Sequence, residues 1–316
     1  MGVVSDAVTA IEDWCKDTIA SGIEGCINTT SELLSNSLNN SDDTGVNPIF
    51  GQFLGSPESF TGDTSGAGTP VWTTIHTLSD NVIVPIAGFI LCVVVINDLL
   101  QAVMGGNNFR DFDDSIFIKW ILKTFCGILL ISNVFDITTA IFSFGTQAVS
   151  NGLSTILPTG EGLVSSDLIS SADFHSALTS LDIGTLLVTL IISFVIVIVT
   201  FVLLGAIIIV LASRIIEVFM YLSISPIPMA TMMNNDWGQI GKNWLRNIFA
   251  LAFQGFFIVV ALAIFKALFA NALPTMMSGE SGDVIMTMAI LLGFIVAFIF
   301  TIFRSSSISK SVFSAH

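Results

Sequence analysis

Charge is scarce in this chain. Charged residues make up 11% of its 316 residues, hydrophobic residues make up 53%, and the mean hydropathy is +0.87. A soluble domain carries about 25% charged residues, so this composition excludes an ordinary water-soluble protein and predicts one embedded in lipid. The ten Lys and Arg residues face 24 Asp and Glu, and eleven of these acids lie in residues 1–80. An acidic surface is repelled by nucleic-acid phosphates and anionic headgroups, so we expect this region to contact other proteins.

The chain also lacks the patterns of an enzyme or a metal site. Its three histidines, His76, His175 and His316, lie far apart in the sequence. The segment 238–243 has neither the spacing nor the magnesium-binding hydroxyl of a phosphate-binding loop. No metal-ligand pair or nucleophile–base arrangement emerges. We therefore predict no enzymatic activity and no cofactor. Such a chain takes energy from a partner or conducts passively.

Cysteines are few, and two of the four, Cys92 and Cys126, fall within apolar runs. Cys15 and Cys26 lie together in the N-terminal region, where a disulfide is chemically possible. On one continuous helix they would be about 16 Å apart, which is beyond bridging distance. Residues 1–30 have no basic start and no apolar core, so we expect the N-terminal region to cross as a translocated tail.

Five long apolar runs divide the rest of the chain. A helix needs about 20 apolar residues to cross the hydrocarbon layer. The run Gly184 to Ser213 has 30 residues without a charge, whereas the second run contains Lys119, Lys123 and Asp136. The basic pair can snorkel to the interface, which leaves the residues from Thr124 onward for the bilayer. The predicted spans are about 81–104, 116–150, 184–213, 247–272 and 284–303.

Basic residues occur at alternate connections between these runs. The connections 151–183 and 271–283 contain none. The residues at the other connections and in the tail are Arg110, Lys119, Lys123, Arg214, Lys242, Arg246, Arg304 and Lys310. Basic residues near span ends mark the cytoplasmic side, so this alternation predicts an all-α integral membrane protein with five transmembrane helices. Its N-terminus would lie outside the cell and its C-terminus in the cytoplasm.

The longest apolar stretch, 184–233, has the length for two spans. A sixth crossing would place four of the basic residues outside, against the charge rule. We therefore predict one span whose helix continues into the cytoplasm through Tyr221. Pro226 and Pro228 then stop it, because proline removes a backbone donor and restricts the preceding residue. The segment 214–246 is thus predicted to be cytoplasmic and broken by proline.

An amphipathic helix is predicted at the acidic N-terminus. Apolar residues recur there at spacings of three and four, the pattern of one helix face. They are Val4, Val8, Ile11, Cys15, Ile19, Ile23 and Ile27. This face either packs on the protein itself or is offered to a neighbouring subunit outside the membrane. Residues 35–70 are rich in polar and turn residues and indicate a linker. The division is an extracellular region 1–80, a membrane domain 81–310 and a tail 311–316.

Polar residues at membrane depth are the candidate contact sites. Ionisable groups there are costly and usually face protein or water rather than lipid. With residues of the proline-broken segment they give the candidate subunit or channel contacts, namely Asn97, Asp98, Asp136, Arg214, Glu217, Pro226, Pro228, Trp237, Lys242 and Gln254. Arg214 and Glu217, three residues apart, are expected to form an interfacial ion pair. Lys266 is expected to snorkel outward.

Pairs of small residues indicate close helix contacts. Gly293 and Ala297 are four residues apart, as are Ala263 and Ala267. Such spacing lets helix backbones approach in lipid. The contacts would form either within the chain or between copies.

The segment after the longest span carries a family resemblance. It reads Ser-Pro-Ile-Pro-Met-Ala-Thr over 225–231 and Trp-Gly-Gln-Ile-Gly-Lys-Asn-Trp-Leu-Arg-Asn over 237–247, followed by Phe-Ala-Leu-Ala-Phe-Gln-Gly over 249–255. With these runs the chain resembles the TrbL-like family of polytopic conjugal-transfer proteins, in its Gram-positive conjugative-element form. The likeness covers roughly residues 80 to 310. The topology predicted from charge agrees with that of the family.

The resemblance implies a channel component of a type IV secretion system in the bacterial cytoplasmic membrane. Its function would be to help move DNA or protein across that membrane. The implied partners are further copies in a ring, pentameric in the family, an extracellular stalk-type subunit, cytoplasmic ATPases and, transiently, transferred DNA. Some relatives have a large central external domain, whereas the connection 151–183 is short here, so substrate contacts of that domain cannot be carried over.

Two other interpretations stay open. A secondary transporter would show internal repeats or paired broken helices around a midplane site. Only one proline-broken segment is present here. A membrane anchor for an envelope complex would differ from a conduit only in lacking a water-filled path.

Overall fold

The computed structural model describes residues 2–38, 53–55, 57, 71–105, 114–156, 172–234, 236–276 and 281–315. The regular secondary structure in these ranges is helical throughout, which confirms the all-α prediction. The helices are α1 (Gly2–Leu38), α2 (Val71–Leu78), α3 (Val84–Gly105), α4 (Asp114–Ser132), α5 (Val134–Ile156), α6 (Ala172–Thr179), α7 (Ile183–Ser223), α8 (Pro226–Thr231), α9 (Gly238–Met276) and α10 (Ser281–Val312).

Four helical segments of the described part are long and apolar enough to cross a membrane. They are Val71–Gln101, Ile183–Ser223, Gly238–Leu268 and Val284–Val312. A fifth crossing results if the bent pair α4 and α5 counts as one span. The protein is therefore a multi-pass membrane protein by length and composition, with four or five candidate spans.

The first candidate span begins earlier than the sequence suggests. α2 continues into α3 through a π-helical turn, Ser79–Ile83, in which the Val84 N–H donates to the Ser79 carbonyl. Pro85 follows at once, and a proline cannot donate the next intrahelical bond and crowds the carbonyl four residues before it. A wider π turn is one way in which a helix accommodates such a residue.

The second apolar run is not one straight helix. α4 and α5 meet at Asn133 and are bent by 64°. The Asn133 side chain donates to the Leu129 carbonyl at 2.8 Å, and the Asn133 backbone N–H donates to the same oxygen at 3.1 Å. Polar side chains that bond back to the preceding turn bend helices. The run predicted as one span over 116–150 thus consists of two helices that meet at a bend.

The two longest helices exceed the expected spans. α7 has 41 residues and α9 has 39. The undivided α7 agrees with the prediction of one helix through Tyr221. The prolines shape the next segment differently from the expectation, since Pro226 occupies the start of a short helix, α8. Proline is tolerated there because the first helical N–H groups have no intrahelical acceptor.

The chain divides into two compact units. The first unit comprises Met1–Gly51, Ser150–Leu211 and Phe257–Ser305, and the second comprises Gln52–Val149, Ala212–Phe256 and Ser306–His316. In the second unit, α8 lies against α3 and α4, and the buried core includes Leu91, Phe142 and Trp244. In the first unit, α1 packs on α6. The Phe265 and Phe298 rings stack there with centroids 4.6 Å apart.

The predicted N-terminal helix is present as α1, but only its second half is buried. Ile23 and Ile27 are buried, as the helical spacing predicts, whereas Val8 and Ile11 are exposed. Cys15 and Cys26 are both free and lie on this one helix. The linker predicted over 35–70 falls mostly outside the described residues. Of its described residues, 35–38 form the end of α1 instead of a linker, and Phe53 and Leu54 pack inside the second unit.

Candidate functional site

In the second unit, Asp98 forms the centre of a polar cluster that joins three elements. Its carboxylate accepts hydrogen bonds from the Lys123 ammonium group of α4 and, at 2.8 Å, from the Asn234 side-chain amide. Close by in the sequence, Gln101 donates to the Asp236 carboxylate at 2.6 Å. The Asp98 cluster (Asp98, Gln101, Lys123, Asn234 and Asp236) therefore fixes the connection after α8 to the end of α3 and the middle of α4.

Asn234 bonds both to Asp98 and to the backbone just before α9. While its amide nitrogen donates to Asp98, its side-chain oxygen accepts from the backbone N–H groups of Asp236 and Trp237, at 2.7 and 3.0 Å. This is a turn in which the Asn side chain bonds to the backbone two and three residues on, and it satisfies two backbone donors just before α9. Asn234 is buried. Asn234 was not among the predicted site residues, although an Asn between Pro228 and the run 237–247 is a turn signal.

A glycine permits the close packing of α8 against the start of α9. A Cβ at Gly241 would lie 2.6 Å from the Pro228 carbonyl oxygen and 2.9 Å from the Met232 Cβ. The Trp244 indole N–H donates to the Tyr221 carbonyl at 3.3 Å. Pro226 and Pro228 are buried, while Trp237 and Lys242 are exposed. The part of the second unit from Pro226 to Trp244 thus has one buried side and one exposed side.

Arg214 is almost completely buried, at 3% exposure. Its guanidinium donates to the carbonyls of Leu251 and Phe53 at 3.1 and 2.8 Å, with a long contact of 3.5 Å to Ala252. A buried cation is tolerated only where hydrogen-bond acceptors replace water. Arg214 therefore clamps the segment Phe53–Gly55 to α9 through main-chain oxygens.

The expected ion pair between Arg214 and Glu217 is not formed. Glu217 instead pairs with Lys310 of α10 at 3.6 Å. The prediction failed because a spacing of three residues places two side chains on one face but does not decide which neighbouring helix offers a better partner. The tail is held further by Ser309, which donates to the Ala250 carbonyl, and by the Phe313 ring, which stacks on Phe249.

The remaining predicted contact residues lie on three different helices. Asn97 is half-buried on α3, and Gln254 is buried on α9. Asp136 is exposed in the first turn of α5, where an acidic side chain is favoured by the positive end of the helix dipole. The structure therefore groups Asp98 with the proline-containing connection but does not bring all the candidates to one site.

In the first unit, Lys266 bonds within the protein instead of reaching outward. Its ammonium group donates to the carbonyl of Ile156 at 3.0 Å. Ile156 is the last residue of α5, and a cation at a helix C-terminus satisfies a free carbonyl and complements the dipole. The expectation that Lys266 snorkels outward is therefore wrong.

His175 of α6 makes two polar contacts to α1. Its Nδ1 lies 2.8 Å from a Glu24 oxygen and its Nε2 lies 3.0 Å from an Asp17 oxygen. The hydrogen bonds to Glu24 and then Asp17 raise the pKa of His175, against a smaller lowering by burial. No spacing along the sequence indicates this contact, because its partners Glu24 and Asp17 lie 151 and 158 residues away.

No group of three or more metal-binding side chains occurs in the part of the chain that the structure describes. The polar clusters consist of hydrogen bonds and ion pairs that join helices. Such groups position elements and line surfaces.

Comparison with known proteins identifies the family. No curated protein and no solved structure matches the chain. A family described as TrbL/VirB6 plasmid conjugal transfer-like protein matches residues 51–226, which is more than half of the 316 residues. The matched region includes α2 to α7, the π turn and the Asp98 end of α3. The apolar helices and this match together establish that the chain belongs to the TrbL/VirB6 plasmid conjugal transfer-like family.

Proposed function

We propose that the chain is a membrane scaffold and channel subunit of a conjugative type IV secretion machine. The observation that carries this proposal is the family match over a chain of long apolar helices. The subunit would help move DNA or protein across the bacterial cytoplasmic membrane. Cytoplasmic ATPases would supply the energy, and the polar helix contacts would position the spans without taking part in chemistry.

The proposed topology has five spans, an extracellular N-terminus and a cytoplasmic C-terminus. It is supported by contacts inside each unit. In the first unit, α1 packs on α6, and both belong to regions for which the charge rule predicts an external position. In the second unit, the end of α3 bonds to the connection between α8 and α9, and both are predicted to be cytoplasmic.

We propose that several copies form a ring, pentameric by the family resemblance. Support comes from the exposed apolar residues of α7, which extend from Leu187 to Met220. At 1.5 Å per residue this stripe is about 50 Å long, whereas the hydrocarbon layer is about 30 Å thick. Lipid tails alone would leave part of it in water, and contact with another copy would cover the remainder. Gly293 and Ala297 are also exposed, and a Cβ at Gly293 would meet nothing within 4 Å.

The first turns of α1 are the proposed contact for an extracellular stalk-type subunit. Val8, Ile11 and Trp14 are exposed at 58%, 63% and 67%. Their acidic neighbours include Asp6 and Asp13. A partner with an apolar groove flanked by basic residues would complement this face. On the other side of the membrane, exposed Trp237 and Lys242 are the proposed contacts for a cytoplasmic subunit.

Deletion of the gene tests the central proposal. We expect conjugative transfer to be lost while DNA nicking in the cytoplasm continues, because the chain would act at the membrane step. Complementation with the wild-type gene should restore transfer. Normal transfer by the deletion strain would contradict the proposed role. Mass measurement of the intact membrane complex would give the copy number.

A further inference from the structure

His175 bonds to two carboxylates that lie on one face of α1. Asp17 and Glu24 are seven residues apart, about two helical turns, so their side chains point the same way. The two ring nitrogens each lie within hydrogen-bond distance of one carboxylate oxygen, at 2.8 and 3.0 Å. An ionised carboxylate only accepts hydrogen bonds. Both ring nitrogens can therefore be satisfied only when both carry hydrogen, which is the imidazolium form.

The contact lies where the packed part of α1 ends. Between Asp17 and Glu24, Ile23 is buried and a Cβ at Gly22 would approach the Leu190 side chain of α7 at 3.3 Å, and beyond Glu24 Ile27 is buried. Before it, residues 6–14 are all exposed. The apolar contacts therefore hold the second half of the helix, and the His175 bonds lie at the border between that half and the exposed first half.

We propose that His175 is a proton-operated latch that fixes the direction of the exposed first half of α1. In the charged form, the ring bridges Asp17 and Glu24 and holds α1 against α6. A neutral ring donates from only one nitrogen, and the lone pair of the other nitrogen then faces a carboxylate oxygen. One bond is lost and replaced by repulsion, so α1 becomes free to move about its buried second half.

The charged groups near His175 are consistent with Asp17 and Glu24 as the partners of its ring. Asp17 and Glu24 are the charged groups of α1 that face the ring. Lys16, on the next position of the same helix, pairs with Glu12 at 3.3 Å. At the start of α7, the Asp182 carboxylate accepts from the Gly184 backbone N–H at 3.1 Å. The raised pKa of His175 has the direction that two facing carboxylates produce.

A distance measurement tests the latch in the full chain. The four native cysteines are replaced by serine, and spin labels are placed at Ala10→Cys and Ser180→Cys, which are exposed positions on α1 and after α6. We expect one narrow distance distribution at pH 5.5 and a broad one at pH 9. His175→Leu should be broad at both pH values, whereas His175→Arg, a permanent cation, should stay narrow at both. Glu12→Gln, an acid outside the latch, should behave as the unsubstituted chain.

A second measurement applies if the His175→Leu chain does not fold. The chain has three histidines, so NMR with labelled histidine can follow each ring. We expect the pKa of His175 to fall toward its ordinary value in the Asp17→Asn, Glu24→Gln double variant. An unshifted wild-type pKa would overturn the proposal, and so would a distance distribution that is the same at pH 5.5 and pH 9. Neither result depends on conjugative transfer, so the latch and the proposed function fail separately.

Discussion

One contact in each unit shows a different way of holding helices together. Around Arg214 and Gly145 in the second unit, the partner is the main chain: Arg214 donates to backbone carbonyls, and Gly145 allows α5 to approach the Ala252 carbonyl of α9. Around His175 in the first unit, side chains meet side chains, since each ring nitrogen lies within hydrogen-bond distance of a carboxylate of α1. Main-chain contacts leave little room for adjustment, whereas flexible side chains can move at small cost.

The Arg214 clamp is independent of pH, whereas the His175 contact with α1 depends on it. An arginine stays charged at every physiological pH, so the clamp on Phe53 and Leu251 does not depend on solution conditions. A histidine changes charge near neutrality, so its contact with α1 depends on them. We therefore expect the Arg214 clamp to respond to mutation but not to pH, and the α1 contact to respond to both.

The largest expected effect comes from a methyl group at Gly145. Its Cβ would lie 2.5 Å from the Ala252 carbonyl oxygen, which is main chain and cannot turn aside. Gly145→Ala should lower stability by about 3 kcal/mol, the upper end of the range for overpacking. Thermal unfolding in detergent measures this. Gly22→Ala, whose Cβ meets only the end of the Leu190 side chain, should change stability by less than about 1 kcal/mol. Equal losses of stability at the two glycines would contradict the distinction between a close main-chain contact and an adjustable side-chain contact.

Removal of the buried guanidinium should have the next largest effect. Arg214→Met leaves the Phe53 carbonyl without its partner, at an expected cost of about 1–3 kcal/mol. Limited proteolysis should then cut the chain near residue 53 faster, because that segment has lost its clamp. Arg304→Met, at an exposed position of α10, is the matched control and should alter stability by less than about 0.5 kcal/mol. Unchanged proteolysis in Arg214→Met would argue against the clamp.

The Asp98 cluster should give a smaller change. Asp98→Asn removes the charge that faces Lys123, and we expect a loss of about 1–2 kcal/mol, because this pair is only partly exposed. Glu12→Gln, which breaks the more exposed pair with Lys16, should cost about 0.3–0.5 kcal/mol, as for other pairs four residues apart on a helix. Unfolding midpoints of the two variants, measured at the same ionic strength, give the comparison.

The smallest effect is the dependence of the α1 contact on pH. Because the pKa of His175 is raised in the folded chain, its contribution is fully present below the unfolded value of about 6.5 and is lost as pH rises through the folded value. Hydrogen exchange of α1 amides should therefore be constant at low pH, after correction for intrinsic rates, and should accelerate on the alkaline side. In His175→Leu the dependence should vanish. Acceleration on the acid side would contradict the sign.

Much of the fold could be predicted from composition and spacing. The apolar runs predicted helices, the spacing from Val4 to Ile27 predicted α1, and the uninterrupted stretch before Tyr221 predicted a single α7. The family resemblance is sharpest over residues 223–255, whereas the family match covers residues 51–226. The match therefore supports the resemblance mainly through the membrane helices before residue 226. The π turn before Pro85 and the bend at Asn133 were not predicted. Both depend on local backbone hydrogen bonds, which hardly change the hydropathy of an apolar run.

The candidate site was predictable only in part. Asp98 was selected because an ionisable residue in an apolar run must have a partner, and it does. Its partner Lys123 lies on another helix and its partner Asn234 lies in the connection between α8 and α9, and the spacing of residues along one helix carries no information about either. The same limit explains why Glu217 was assigned to Arg214 when its partner is Lys310.

By itself, the sequence determined that the chain is helical, lies in a membrane and belongs to a conjugal-transfer family, because these properties follow from hydropathy, helical spacing and residue order. Tertiary structure alone decided which polar group meets which. A buried charge must replace its water with whatever acceptor the packing brings within 3 Å, and that acceptor comes from a backbone far away in the chain, as for Arg214 and Phe53.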